Sequence, residues 1–133
     1  MSESRGSDPL STLAAAIERL YREGAAADRS ESRSVFATLR AELSAGRVRS
    51  AEPDASTPTG WRVNTWVKQG ILLGFKFGDI VDQSAGLPFY DKDTQTVQRF
   101  SAASNIRIVP GGSSIRDGAF VAPGVVCMPP MFV

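Results

Sequence analysis

Apolar residues at Leu10, Leu13, Ala14, Ile17, Leu20 and Tyr21 fall at helical spacing and predict a first helix that stops at Gly24. Glu18 and Arg22, four apart, add a surface pair on its polar face. A polar link over residues 25–30 leads to a second helix from about Ser32 to Ala45. Its stripe is Val35, Phe36, Leu39 and Leu43, and Gly46 stands at the C′ position. Two short amphipathic helices need a further surface against which to bury their stripes. Arg47 to Ala51 reads as a short strand, followed by a loop with Pro53 and Pro58 that closes at Gly60.

The stretch from Trp61 to Asp79 is the most hydrophobic in the chain. Asn64 can cap a helix carrying Trp66, Val67, Ile71, Leu73 and Phe77. Ile71, Leu73, Phe75 and Phe77 also alternate like a strand, and Gly70 and Gly74 weaken a helix. Pattern alone leaves both open, while the length favours a buried helix. In either case Trp61 and Trp66 read as core, and Lys68 and Lys76 as solvated. Residues 78–105 read as irregular connecting structure with one short helix near Thr94 to Ala102. Within them Phe89-Tyr90-Asp91-Lys92 reads as a turn packed on the core. Ile106 to Val109 then reads as a strand, with Arg107 pointing opposite Ile106 and Ile108.

The last stretch has a different rhythm. Val109, Ile115, Val121, Cys127 and Val133 recur at a strict period of six, which neither a helix nor an ordinary strand produces. Six residues per side is the repeat of a parallel β-helix that stacks an aliphatic ladder inside. Gly118, Pro123 and Gly124 suit its tight corners. The bland alternative is a Gly/Pro-rich tail with chance spacing.

Composition narrows the function. Fifteen basic residues against fourteen acidic ones leave a net charge of +1, so no field recruits nucleic acid or an anionic membrane surface. No apolar run is long enough for a membrane span. The first residues lack the apolar core of a signal peptide. The lone Cys127 cannot form an internal disulfide, in keeping with a reducing, cytoplasmic setting. On the ladder it reads as a small core hydrophobe. With no histidine, His-based metal sites and Ser-His-Asp machinery are excluded for this chain alone. No phosphate-binding glycine loop is present.

Several motifs stand in one order from residue 43 onward. They are Leu43-Ser44-Ala45-Gly46-Arg47-Val48-Arg49, Gly60-Trp61-Arg62-Val63-Asn64, Trp66-Val67-Lys68 with Ile71-Leu72-Leu73-Gly74-Phe75, and Phe89-Tyr90-Asp91-Lys92. Ile106-Arg107-Ile108-Val109-Pro110, Ile115 to Ala122 and Cys127-Met128-Pro129 complete the series. In this the chain resembles tetrahydrodipicolinate N-succinyltransferases of the diaminopimelate and lysine pathway.

The resemblance implies an α+β chain: a small helical N-terminal domain, then the start of a left-handed parallel β-helix, assembled as a homotrimer. The expected division is a disordered tail over 1–8, an α-rich domain over 9–105 and an opening coil over 106–133. Such enzymes move succinyl from succinyl-CoA, a co-substrate, to the amino group of ring-opened tetrahydrodipicolinate, with no tightly bound cofactor and no metal. One residue role carries over, to Arg107, which the resemblance makes a binder of the dicarboxylate substrate. A planar guanidinium can grip a carboxylate with two parallel hydrogen bonds. Arg116 lies in a matching motif and is expected to be structural, and Asp117 is a corner residue beside Gly118. The family's acidic catalytic residues and CoA groove lie on later coils, so no catalytic residue is assigned and this chain alone is expected to be inactive. Gly111-Gly112-Ser113-Ser114 is looser than the family pattern, and Pro130 also departs from it. Rival readings are a non-enzymatic oligomerisation or interaction module, and a different hexapeptide-repeat acyltransferase.

Overall fold

A computed structural model describes residues 8–84, 86 and 88–133. The tail expected over 1–8 lies outside the described residues except for Asp8. That residue is the N-cap of helix α1 (Pro9–Glu23): its side chain accepts from the Leu10 amide, and Pro9 occupies the first turn. The helix ends at Gly24, as its spacing predicts, and Leu13, Ile17 and Leu20 face inward. Glu18 and Arg22 do not pair. Arg19 instead bridges Glu23 on its own helix and Glu31 on the next.

Helix α2 (Arg29–Ser44) starts three residues earlier than its apolar stripe indicates. Asp28 accepts the Glu31 amide at 2.7 Å and so caps the helix before the first buried side chain. The strand expected over 47–51 is displaced. Arg47 and Val48 both donate their amides to the Glu42 carbonyl, which turns the chain, and β1 (Ala51–Pro53) begins only afterwards. It pairs antiparallel with β2 (Trp61–Val63). Trp61 on this hairpin is 55% exposed, because two short strands have no second layer to cover them. Trp66 is half-buried against the helical core.

Helix α3 (Thr65–Phe77) resolves the ambiguous stretch in favour of a helix. Its two glycines explain why: they are the face on which the three helices meet. A Cβ on Gly70 would overlap the Leu39 side chain and come within 3.0 Å of Ile17 Cδ1; one on Gly74 would lie 2.6 Å from Phe36. The propensity lost, about 1 kcal/mol for each glycine, is offset by burying Ile17, Phe36 and Leu39 in contact with the helix backbone. Asn64 precedes α3 but does not cap it through its side chain. Its Nδ2 donates to the Arg49 carbonyl and to Glu52, tying the helix start to β1.

Among the described residues of 78–105 there is no α-helix. Strands β3 (Ile80–Asp82) and β4 (Tyr90–Lys92) form an antiparallel hairpin, and Ala102–Ser104 makes a single 3-10 turn. Thr94 and Gln95 complete a turn after β4, and the chain from Thr96 to Gln98 is non-helical because its groups have partners elsewhere. Gln98 donates to the Ile115 carbonyl, Asp117 donates to the Thr96 carbonyl, and the Thr94 hydroxyl donates to the Gly74 carbonyl. In the Phe-Tyr-Asp-Lys cluster Tyr90–Lys92 form strand β4 and Phe89 precedes it, with Phe89 and Tyr90 exposed, so the cluster is not a turn packed on the core.

A guanidinium clasp closes this layer. Arg33 donates to both Asp93 oxygens at 2.7 and 3.1 Å and to the Phe77 carbonyl at 2.8 Å, joining α2, the end of α3 and the residue after β4. The bonds from Arg33, with a further one from the Asp79 amide, hold the Asp93 carboxyl down at about 2. A carboxyl held below its unfolded value stabilises the fold above that unfolded value, and the contribution fades as pH falls through the folded one. Asp93→Asn should therefore lower the thermal midpoint at pH 7, with the gap to the parent chain closing as pH falls from 4 towards 2. A gap that stays constant over this range would contradict the assignment.

Candidate functional site

The strand carrying Arg107 is fixed by backbone bonds at both ends. Asn105 takes the left-handed conformation, with φ 52°, and its carbonyl accepts the Gly124 amide at 2.6 Å. Arg107 then donates its amide to Val125 and Val109 donates to Cys127, each at 3.0 Å. β5 (Arg107–Ile108) thus lies parallel to β6 (Val126–Cys127), with Arg107 beside Val126 and Ile108 beside Cys127.

Farther along, Ser114 sits beside Phe132 in the same parallel sense, through bonds from Ser114 to Met131, Arg116 to Val133 and Val133 to Ser114. The chain comes back alongside itself after 19 residues at the first contact and 18 at the second. The six-residue ladder faces inward only in part. Ile115 and Cys127 are buried, Val109 and Val121 are half-buried, and Val133 is exposed. Buried Cys127 should resist a thiol reagent until the chain unfolds; rapid labelling of the native chain would show that the ladder opens.

This loop is anchored to the helices at the Arg116–Gly118 corner. Arg116 pairs with Asp91 at 2.8 Å, Asp117 accepts from the Thr96 hydroxyl, and the Gly118 amide donates to Ser44 Oγ at 2.7 Å. Phe120 covers Gly46, whose φ of +73° and missing Cβ leave room for the ring. Arg116 and Asp117 are accordingly tie points, as their motif positions suggest. Arg40, which the sequence did not single out, donates to the Thr94 carbonyl and the Thr96 hydroxyl. No sequence signal links residues more than fifty positions apart. Beside this anchor, a cavity of about 240 Å³ lies between α2, α3 and the corner, walled by Phe36, Leu43, Ile71 and Phe75.

Arg107 is outside that cavity, on the exposed face of β5. Among the described residues no carboxylate lies within ion-pair distance of its guanidinium, and no carbonyl accepts from it. A free, exposed guanidinium on a pinned strand can take an anionic group with two hydrogen bonds. No His, Cys, Asp and Glu cluster suited to a metal ion occurs among the described residues. No described helix is long and apolar enough to cross a membrane.

Residues 12–77, nearly all of the helical layer, match the sequence profile of the tetrahydrodipicolinate N-succinyltransferase N-terminal domain. Two proteins named 2,3,4,5-tetrahydropyridine-2,6-dicarboxylate N-succinyltransferase match a larger share of the chain. The one from Gluconobacter oxydans is 37% identical over 131 residues, covering 90% of this chain and 46% of its own length. The one from Granulibacter bethesdensis is 36% identical over 128 residues, covering 90% and 45%. A third, from Tolumonas auensis, is 40% identical over 93 residues.

The chain belongs to the tetrahydrodipicolinate N-succinyltransferase family. Its similarity is to the N-terminal part of these enzymes, and it spans about half the length of the curated relatives it matches. The family match accounts for the α+β architecture of three helices and small sheets.

Proposed function

We propose that this chain supplies the N-terminal region of an acyltransferase that moves succinyl from succinyl-CoA to the amino group of ring-opened tetrahydrodipicolinate, in diaminopimelate and lysine biosynthesis. The observation that carries the reading is the 37% identity, over 90% of the chain, to a transferase of that name. The stretch from Val109 onward is the opening coil of a left-handed parallel β-helix. Its parallel returns after 18 and 19 residues, with Ile115 and Cys127 turned inward, support that reading.

Arg107 binds a carboxylate of the substrate and sets its position, without taking part in proton transfer. The attacking amine must be deprotonated by a general base, and the tetrahedral oxyanion needs hydrogen-bond donors. Both come from coils beyond this stretch, as does the CoA groove. No tightly bound cofactor takes part, and the assembled enzyme is a cytoplasmic homotrimer. Exposed Phe132 at the end of the coil is suited to cover by further protein.

Two measurements follow. The purified 133-residue chain, given succinyl-CoA and the acceptor, should release no CoA thiol above background; measurable turnover would overturn the division of labour. The reading frame after Val133 should continue with further hexads and an acidic residue on an early coil. A stop codon there, with no partner gene carrying the coils, would contradict the enzyme reading and favour an interaction module.

A further inference from the structure

The face of the parallel pair that carries Arg107 has a second component. Along β6 and its exit the exposure alternates: Val126 is exposed, Cys127 is buried and Met128 is exposed. In a strand, residues two apart share a face, so Val126 and Met128 stand together on the side opposite the ladder. Register places Val126 directly beside Arg107, roughly 4.8 Å away across the strands, and Met128 roughly 6.6 Å farther along. The result is one guanidinium at the end of an open apolar strip, with no acidic side chain paired to it among the described residues.

We propose that Val126 and Met128 form the bed on which the carbon frame of the substrate lies while Arg107 holds its carboxylate. This rests on the reading of Arg107 given above and adds a selection rule to it. The site takes a carboxylate attached to several apolar carbons and discriminates against compact anions of equal charge. Inorganic phosphate satisfies the guanidinium but covers none of the strip, leaving both apolar side chains in water. Val126 is 44% exposed, so a polar side chain of similar reach fits there without disturbing the buried ladder.

The test uses the 133-residue chain, pyridine-2,6-dicarboxylate as a stable ring dicarboxylate, and the backbone amide signals of residues 107, 126 and 128. Those signals should move together on titration, with binding in the millimolar range, corresponding to about 4 kcal/mol. Val126→Gln should weaken binding about 3- to 10-fold, because it takes apolar surface out of the strip while leaving the guanidinium free. Val126→Glu should weaken binding about 10- to 100-fold, because its own carboxylate then occupies the guanidinium. Arg107→Ala should weaken it as much, and the double variant no further, since both remove one interaction.

The outcomes separate the two ideas. If Arg107→Ala binds like the parent, or the parent ignores the dicarboxylate at tens of millimolar, the reading of Arg107 fails and the strip with it. If Arg107→Ala is weak but Val126→Gln binds like the parent, only the strip fails. Inorganic phosphate binding as tightly as the dicarboxylate would also overturn the strip while leaving Arg107 in place.

Discussion

Leu39→Ala should remove about 2–5 kcal/mol of stability, the range for deleting a fully buried leucine side chain. Leu39 has no exposed surface and packs from α2 onto Gly70 of α3, beside Ile17 of α1, so it touches all three helices. Chemical denaturation would show the loss as a lower midpoint with an unchanged slope. Gly70→Val should destabilise by about 1–3 kcal/mol, since its branches would need the space that Leu39 and Ile17 fill. The two substitutions together should be better than their sum, because the valine enters the volume the leucine leaves. Strict additivity would mean that the close contact at Gly70 does not hold the helices in place.

The second large effect concerns the substrate. In a hybrid carrying residues 1–133 joined to the remainder of the Gluconobacter oxydans relative, Arg107→Ala should raise KM for the dicarboxylate. The expected rise is on the order of 10- to 100-fold, the worth of a charge-assisted bidentate contact. Lysine should recover only part of the loss, because an ammonium cannot make two parallel bonds. The KM for succinyl-CoA should move little, since a contact to one substrate does not tune the other. An equal rise in both constants would point to a displaced strand, not a lost carboxylate contact.

The legibility of this chain in its sequence follows the range of the forces involved. Helix α1 and its stop at Gly24 were readable because spacing and cap lie within one turn of each other. The six-residue period is readable in the sequence, and two of its five residues, Ile115 and Cys127, are buried. The start of α2 was missed by three residues because Asp28 acts ahead of the first buried side chain. The helix expected near Thr94 was wrong for a non-local reason. Its backbone is held by Ile115 and Asp117 and its Thr94 hydroxyl by the Gly74 carbonyl, and none of those partners is signalled within the segment.

The candidate site divides in the same way. Arg107 alone reads as one more strand residue, and only the neighbouring motif gave it a role. Its surroundings are a matter of register: Val126 stands beside it because β6 returns in parallel after 19 residues. The Arg33–Asp93 clasp joins positions sixty apart and leaves no local trace in composition.

The decisive measurement is succinyl transfer by the unmutated hybrid, followed as CoA thiol release with the tetrahydrodipicolinate acceptor present and absent. The account predicts acceptor-dependent turnover comparable to that of the intact Gluconobacter oxydans enzyme, because the N-terminal region of one family member should serve the coils of another. A hybrid that folds and assembles, yet releases no thiol in response to the acceptor, would contradict it.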